Sequence, residues 1–227
     1  MAPWRRVQGE GALKRLDGQV RLLASGFSAV AGFVDAVGFL ITGGFFVSFM
    51  SGNSTRLAVG LTDREPYALF ALGLIVAFVA GVSAGALLGR RAGPRRAPTV
   101  LTLVALCLAA AATLASLEAA PLAILALAFA MGAENTVFAQ DGEVRIGLTY
   151  MTGALVKLGK GITAALLGED RFAWAPYLLL WLGLVLGAAL GALAFRYFGV
   201  GALWIGAAIM ATLAAVAARL DLTPAAA

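Results

Sequence analysis

Long apolar runs separated by short polar or charged stretches divide this chain into eight segments, near residues 22–42, 45–62, 68–89, 99–117, 120–140, 146–167, 174–195 and 199–218. Most approach the roughly 20 apolar residues that an α-helix needs to cross a bilayer. The segments form two series of four with matching landmarks. Gly32-Phe33-Val34-Asp35 matches Gly132-Ala133-Glu134-Asn135, and Met50-Ser51-Gly52 matches Met151-Thr152-Gly153. Leu57 and Gly60 match Leu158 and Gly161, and Pro66-Tyr67 through Gly73 matches Pro176-Tyr177 through Gly183. The offset moves from 100 to 101 to 110, which places the insertions in loops. Aligned Pro-Tyr pairs carry weight because the chain has only 7 Pro and 4 Tyr. Duplicated units interrupted by polar residues at matching places are the sequence pattern of a secondary transporter, with its site where the copies meet.

Composition agrees with a membrane solvent. Hydrophobic residues make up 61% of the chain and charged residues 13%, where a soluble domain carries about 25% charged residues. The net charge of +5 sits on bases that flank apolar runs, where it sets topology, so nucleic acid is not an expected partner. Cys107 is the single cysteine, which rules out a disulfide framework. The first apolar run follows a basic tail without a small-residue cleavage site, so it reads as an uncleaved first span. The chain has no His, which removes Ser-His catalysis and His-ligated metals. No enzyme activity and no cofactor are expected. Ser51 with Lys157 remains the one formal nucleophile–base pair.

Charge decides which segments cross. The tail before residue 22 carries Arg5, Arg6, Lys14, Arg15 and Arg21, and the loop after the third segment carries Arg90, Arg91, Arg95 and Arg96. Both belong on the cytoplasmic side. Three complete crossings would separate them, so one of the first three segments does not cross. The second contains Gly43-Gly44 and the polar run from Ser51 to Arg56. Such backbone is tolerated at membrane depth only inside protein or beside a water-filled cavity. The expected fold is an all-α integral membrane protein. It is a polytopic helix bundle of two inverted repeats, each with three spanning helices plus one interrupted or re-entrant segment. Residues 1–21 form a basic cytoplasmic tail, 22–117 the first repeat, 118–218 the second and 219–227 a cytoplasmic tail. Eight plain crossings are the alternative.

The candidate chemistry lies at the breaks. Asp35 stands within the first span, where charged residues are costly and mark pathways or partners. Asn135 is its geometric twin, with Glu134 on the neighbouring helix face. Asp35 and Glu134 are the candidates for proton coupling, against a structural ion pair or hydrogen bond. Ser51, Gly52 and Asn53 in the first copy, with Thr152 and Gly153 in the second, supply polar groups near helix starts. Free N–H groups there attract anions, although Ser51 and Thr152 also suit simple N-caps. Arg56 and Lys157 occupy equivalent positions and fit charge compensation for an anionic solute or for the acids. Snorkelling to the interface is the alternative. The runs Phe45–Met50 and Val144–Met151 are candidates for short extended pieces that pair before the half-helices. Gly81, Gly85 and Gly89, like Gly183, Gly187 and Gly191, recur at a spacing that lets helices approach closely, within the bundle or in a homo-oligomer.

At Ala31-Gly32-Phe33-Val34-Asp35-Ala36-Val37-Gly38, Met50-Ser51-Gly52-Asn53-Ser54, Met131-Gly132-Ala133-Glu134-Asn135 and Tyr150-Met151-Thr152-Gly153 the chain resembles the YoaK-like family of bacterial inner-membrane proteins. The resemblance spans about residues 22 to 218. Ser51 stands where family members usually carry Thr, and the hydroxyl is kept. The resemblance implies a multi-pass protein of the bacterial inner membrane and supplies no substrate.

The expected function is a secondary transporter for a small anionic solute, with proton coupling as the candidate drive and with membrane lipid and the solute as partners. Its site would join Asp35, Asn53, Arg56, Asn135, Thr152 and Lys157. A channel and an accessory membrane subunit are the alternatives. Topology separates these readings. Single cysteines in a Cys107→Ala background are expected to react from inside at Gly93 and Glu169 and from outside at Asp63 and Ser116. A Gly93 position labelled from outside would replace the six-crossing topology with eight.

Overall fold

The computed structural model describes residues 18–140, 143–144 and 147–219. Trp4, the tail bases before residue 18, Arg145, Ile146 and the residues after Arg219 lie outside the described residues. The helices are α1 (Gly18–Thr42), α2 (Met50–Thr62), α3 (Tyr67–Ala92), α4 (Arg96–Ser116), α5 (Ala120–Glu134), α6 (Met151–Leu166), α7 (Ala175–Phe198) and α8 (Ala202–Arg219). Strands β1 (Ala139–Gln140) and β2 (Glu143–Val144) pair antiparallel, Ala139 with Val144. Among the described residues the expected extended pieces do not pair with each other; Arg145 and Ile146 of the second lie outside them. Residues 45–49 are irregular, and the only ladder among the described residues is this local hairpin.

Among the described residues three stretches are long and apolar enough to cross a membrane: Arg21–Thr42, Tyr67–Ser116 and Ala175–Arg219. The last two hold 50 and 45 residues, about twice what one crossing needs. Each folds as two helices about a glycine turn. Gly93 ends α3 with φ 55° and Gly199 ends α7 with φ 54°, a backbone region where a Cβ is disfavoured. Single 3₁₀ turns, Gly93–Arg95 and Gly199–Gly201, then start α4 and α8. By contrast α2, α5 and α6 have only 13, 15 and 16 residues, each short of the roughly 20 that a crossing needs, and α5 continues in turns to Phe138.

The longest helix contacts join α1 to α7 and α3 to α5. Glycine makes both possible. A Cβ on Gly32 would strike the Leu184 carbonyl, and one on Gly132 would strike the Phe78 carbonyl. In return, a Cβ on Gly187 would strike the Ala29 carbonyl, and one on Gly81 the Phe129 carbonyl. Gly191 meets Phe33 and Gly85 meets Ala133 in the same way. In lipid, helices gain little from apolar burial, so close van der Waals packing through small residues carries their association. These glycine faces are therefore covered inside one chain.

The contacts also fix offset and direction. Equivalent residues in α1 and α5 stand 100 apart, as with Gly32 and Gly132, whereas in α3 and α7 they stand 106 apart, as with Gly81 and Gly187. The turn glycines Gly93 and Gly199 obey the same 106. The offset of 110 read from the Pro-Tyr pairs is thus displaced by about one helical turn. Apolar helices leave several registers equally attractive, and the backbone contacts select another. Along α1–α7 and α3–α5 the contact positions rise together, so each pair is parallel. In contrast, α1 and α5 run antiparallel. Phe27 of α1 lies 6.0 Å from the ring of Phe138, beyond the end of α5, while Ile41 and Thr42 share a cavity wall with Ala120, Pro121 and Ile124 at its start. Between them α4 packs along α8, burying Val100, Leu101, Val104 and Leu108 with Leu203, Ala207 and Met210.

Gly81→Val and Gly187→Val are each expected to destabilise the fold by about 1–3 kcal/mol, the range for overpacking, at its upper end because the obstacle is backbone. Gly159→Ala, with nothing within 4 Å of an added Cβ, should leave stability within about 0.5 kcal/mol. Thermal unfolding in detergent distinguishes them.

Candidate functional site

The first break is a return of the chain along its own helix. After Thr42 the backbone turns at Gly43 (φ 67°) and Gly44 (φ 127°). The Asp35 carboxylate then captures it. Asp35 Oδ1 accepts the Val47 N–H at 2.7 Å and the Ser48 N–H at 2.8 Å. Asp35 lies about 10 Å back from the end of α1 at 1.5 Å per residue, so the segment re-enters. Asn53, wholly buried on α2, holds it from the other side. Its Nδ2 donates to the Phe46 carbonyl at 2.6 Å and its Oδ1 accepts the Phe46 N–H at 3.1 Å. An amide matches the donor and acceptor of one peptide unit, so both polar groups of Phe46 are paired. From there α2 runs outward until Gly60 meets Tyr67 and Ala68 at the start of α3.

The second copy repeats this with a neutral side chain. Asn135 Oδ1 accepts the Thr149 N–H at 3.3 Å, and its Nδ2 donates to Thr149 Oγ1 at 2.9 Å and to the Met131 carbonyl at 2.9 Å. Ser48 and Thr149 are equivalent at the offset of 101 read from sequence. Ala154 stands where Asn53 would be. A residue of the first copy takes part instead. The Ser28 hydroxyl on α1 lies 3.1 Å from the carbonyls of both Leu148 and Leu180, with either as acceptor.

The remaining candidates separate. Arg56 places its guanidinium carbon 4.6 Å over the Phe45 ring, beside Gly44. Lys157 places Nζ 5.7 Å over the Tyr177 ring. Both cations, each half-buried, thus lie against aromatic rings, a favourable placement. Arg56 lies on Phe45 rather than on Asp35. Among the described residues Asp35 has no ion pair. Ser51 and Thr152 are not N-caps. Phe49 and Tyr150 occupy those positions, with no side-chain cap bond. Ser51, Thr152 and Gly153 are exposed, while Gly52 lies against the rings of Phe49 and Phe46. Thus Asn53 is sealed inside the first copy and Thr152 stands on a surface. Glu134 is wholly buried, and neither carboxyl oxygen has a hydrogen-bond partner among the described residues. Among those residues no three His, Cys, Asp or Glu group as metal ligands.

Sequence reasoning missed Ser28 and Arg96. Ser28 sits seven residues before Asp35, two turns along one helix face, which was the available signal. Arg96 Nε donates to the Thr136 carbonyl at 3.1 Å, placing a cation where the C-terminal end of α5 favours one. No local pattern marks that contact.

These features define a polytopic helical membrane protein with two discontinuous segments held by inward polar side chains. Residues 23–216 match the family described as "Protein of unknown function (DUF1275)", and the chain belongs to that family. It is 39% identical over 190 residues to a UPF0700 transmembrane protein of Rhizobium meliloti (strain 1021), covering 82% of this chain and 81% of the relative. No solved structure matches it.

Asp35→Asn should keep the Val47–Ser48 clamp, as Asn135 does for Thr149. Asp35→Ala should leave two buried N–H groups unpaired, at about 1–3 kcal/mol each. Hydrogen exchange across residues 44–49 should rise at least tenfold in Asp35→Ala and much less in Asp35→Asn.

Proposed function

We propose that the chain is a secondary transporter made of two inverted copies, with six crossings and both termini in the cytoplasm of a bacterial cell. The observation that carries this reading is the antiparallel course of α1 and α5, which begin their copies yet make equivalent glycine contacts at constant offsets. Rocking of one copy against the other around a fixed site is the motion such a duplication supports. The re-entrant course of residues 43–49 agrees with three crossings per copy, because the start of α3 lies near the end of α1, with Phe45 5.2 Å from Phe70.

The transported solute is a small anion, and the second copy is its best seat. At α2 the protein supplies its own anion, since Asp35 takes the N–H groups ahead of the helix. At α6 the equivalent side chain is the neutral Asn135. Thr152 and Gly153 are exposed there, and Lys157 follows on the same helix. A helix start of this kind favours negative charge. Asp35 and Glu134 are the acids available for proton coupling.

Reconstituted protein should give saturable, pH-gradient-dependent currents with a panel of small carboxylates and inorganic phosphate. Asp35→Asn should remove the dependence on the pH gradient while protein still inserts. Lys157→Gln should raise the half-saturating concentration about tenfold, equivalent to roughly 1.4 kcal/mol. Currents that never saturate would replace the transporter with a channel.

A further inference from the structure

Asp35 also faces a groove. A space of about 260 Å³ opens between α1 and α7, with Gly32, Asp35, Phe39, Phe46, Leu184 and Ala188 among its walls. The space is an open groove rather than an enclosed cavity, and its volume would admit a group the size of the benzene ring that a ~150 Å³ cavity holds. Its one charged wall is Asp35. The backbone bonds from Val47 and Ser48 both fall on Oδ1, and the Ser48 hydroxyl also bonds the carboxylate. No Lys or Arg pairs with Asp35 among the described residues. Along α7 the first charged residue is Arg196, beyond the groove, and the nearest base on α2, Arg56, lies on Phe45. The rings of Phe39 and Phe46 stand 5.0 Å apart at 43° and form an aromatic corner beside the acid.

We infer that this groove is a binding site for a small organic cation, an alkyl- or arylammonium group whose charge meets Asp35 and whose apolar substituents meet Phe39, Phe46 and Leu184. The ring faces attract positive charge and do so more strongly out of water. A bare metal ion fits less well, because hard cations require six or more oxygen ligands and these walls offer one carboxylate in an apolar lining. The site belongs to the first copy alone. In the second, Asn135 and Thr136 replace Asp35 and Ala36, and Thr136 Oγ1 lies against Gly85, where the neighbouring helix closes in.

The test is equilibrium binding of benzyltrimethylammonium to the purified full chain in nanodiscs, beside neopentylbenzene, its uncharged isostere. The cation should bind saturably and at least tenfold more tightly than the isostere. Asp35→Asn should weaken the cation at least tenfold and leave the isostere unchanged. Ala36→Leu, which fills the groove from α1, should abolish binding of both. Equal affinity for the two probes, no saturable binding, or an unaltered cation affinity in Asp35→Asn would overturn the inference and leave an apolar groove for lipid. If Asp35→Asn fails to fold, the isostere pair and Ala36→Leu decide the matter. No transport is needed for this measurement, so a chain that binds the cation but moves no solute would sink the transporter reading and keep this one.

Discussion

Unpaired peptide groups at membrane depth are the constraint on which this molecule is built. Hydrocarbon offers no partner for a free N–H or carbonyl, so an interrupted segment survives only where protein supplies one. Here side chains do so. Asp35 and Asn53 hold residues 46–48, and Asn135 and Ser28 hold residues 148–149. Remove these groups and the segments would have to become helix, which their glycines and aromatic residues oppose, or leave the membrane. The helices around the breaks are correspondingly plain, because their backbone is already satisfied internally.

Close approach of helices is the second element, and it depends on the first. Gly32 lies three residues before Asp35 on α1, and Gly132 three before Asn135 on α5. The residue that lets α7 or α3 come near is therefore about one turn from the residue that holds the break. Packing and polar satisfaction are built into the same stretch of helix, so a shift of α1 against α7 must move the Asp35 clamp with it. The two copies answer this coupling differently. The first holds its break by a charge and a buried amide, and the second by a neutral amide with help from α1.

Much of this architecture was legible because duplication gave every signal twice. Helix positions followed from apolar length, and at offsets of 100 and 101 Asp35 with Ser48 and Asn135 with Thr149 each form a side-chain bond to the backbone N–H that follows the break. Arg56 and Lys157, read as equivalent from the sequence, each lie against an aromatic ring. The third offset failed because α3 and α7 are apolar throughout, and only backbone contacts distinguish one register from the next turn. The facing of the polar residues at each break was not legible for a related reason. Sequence shows which residues are polar at a break, but whether they turn inward to the backbone, as Asn53 does, or outward, as Thr152 does, is decided by rotation of a short helix against its neighbours. Ser28 escaped notice because a lone serine in an apolar helix is usually bonded to its own preceding turn.

Each copy gives its first helix to the other copy's third. Gly32 waits for Leu184, some 150 residues later in the chain, an interval of roughly 8–30 s at 5–20 residues per second of synthesis. During that time α1 is in the membrane with its glycine face and Asp35 bare of their final neighbour. α3 waits a far shorter interval for α5. Synthesis thus orders assembly, with the α3–α5 pair able to close well before α7 reaches α1 and α8 reaches α4, so residues 22–117 cannot complete their packing alone.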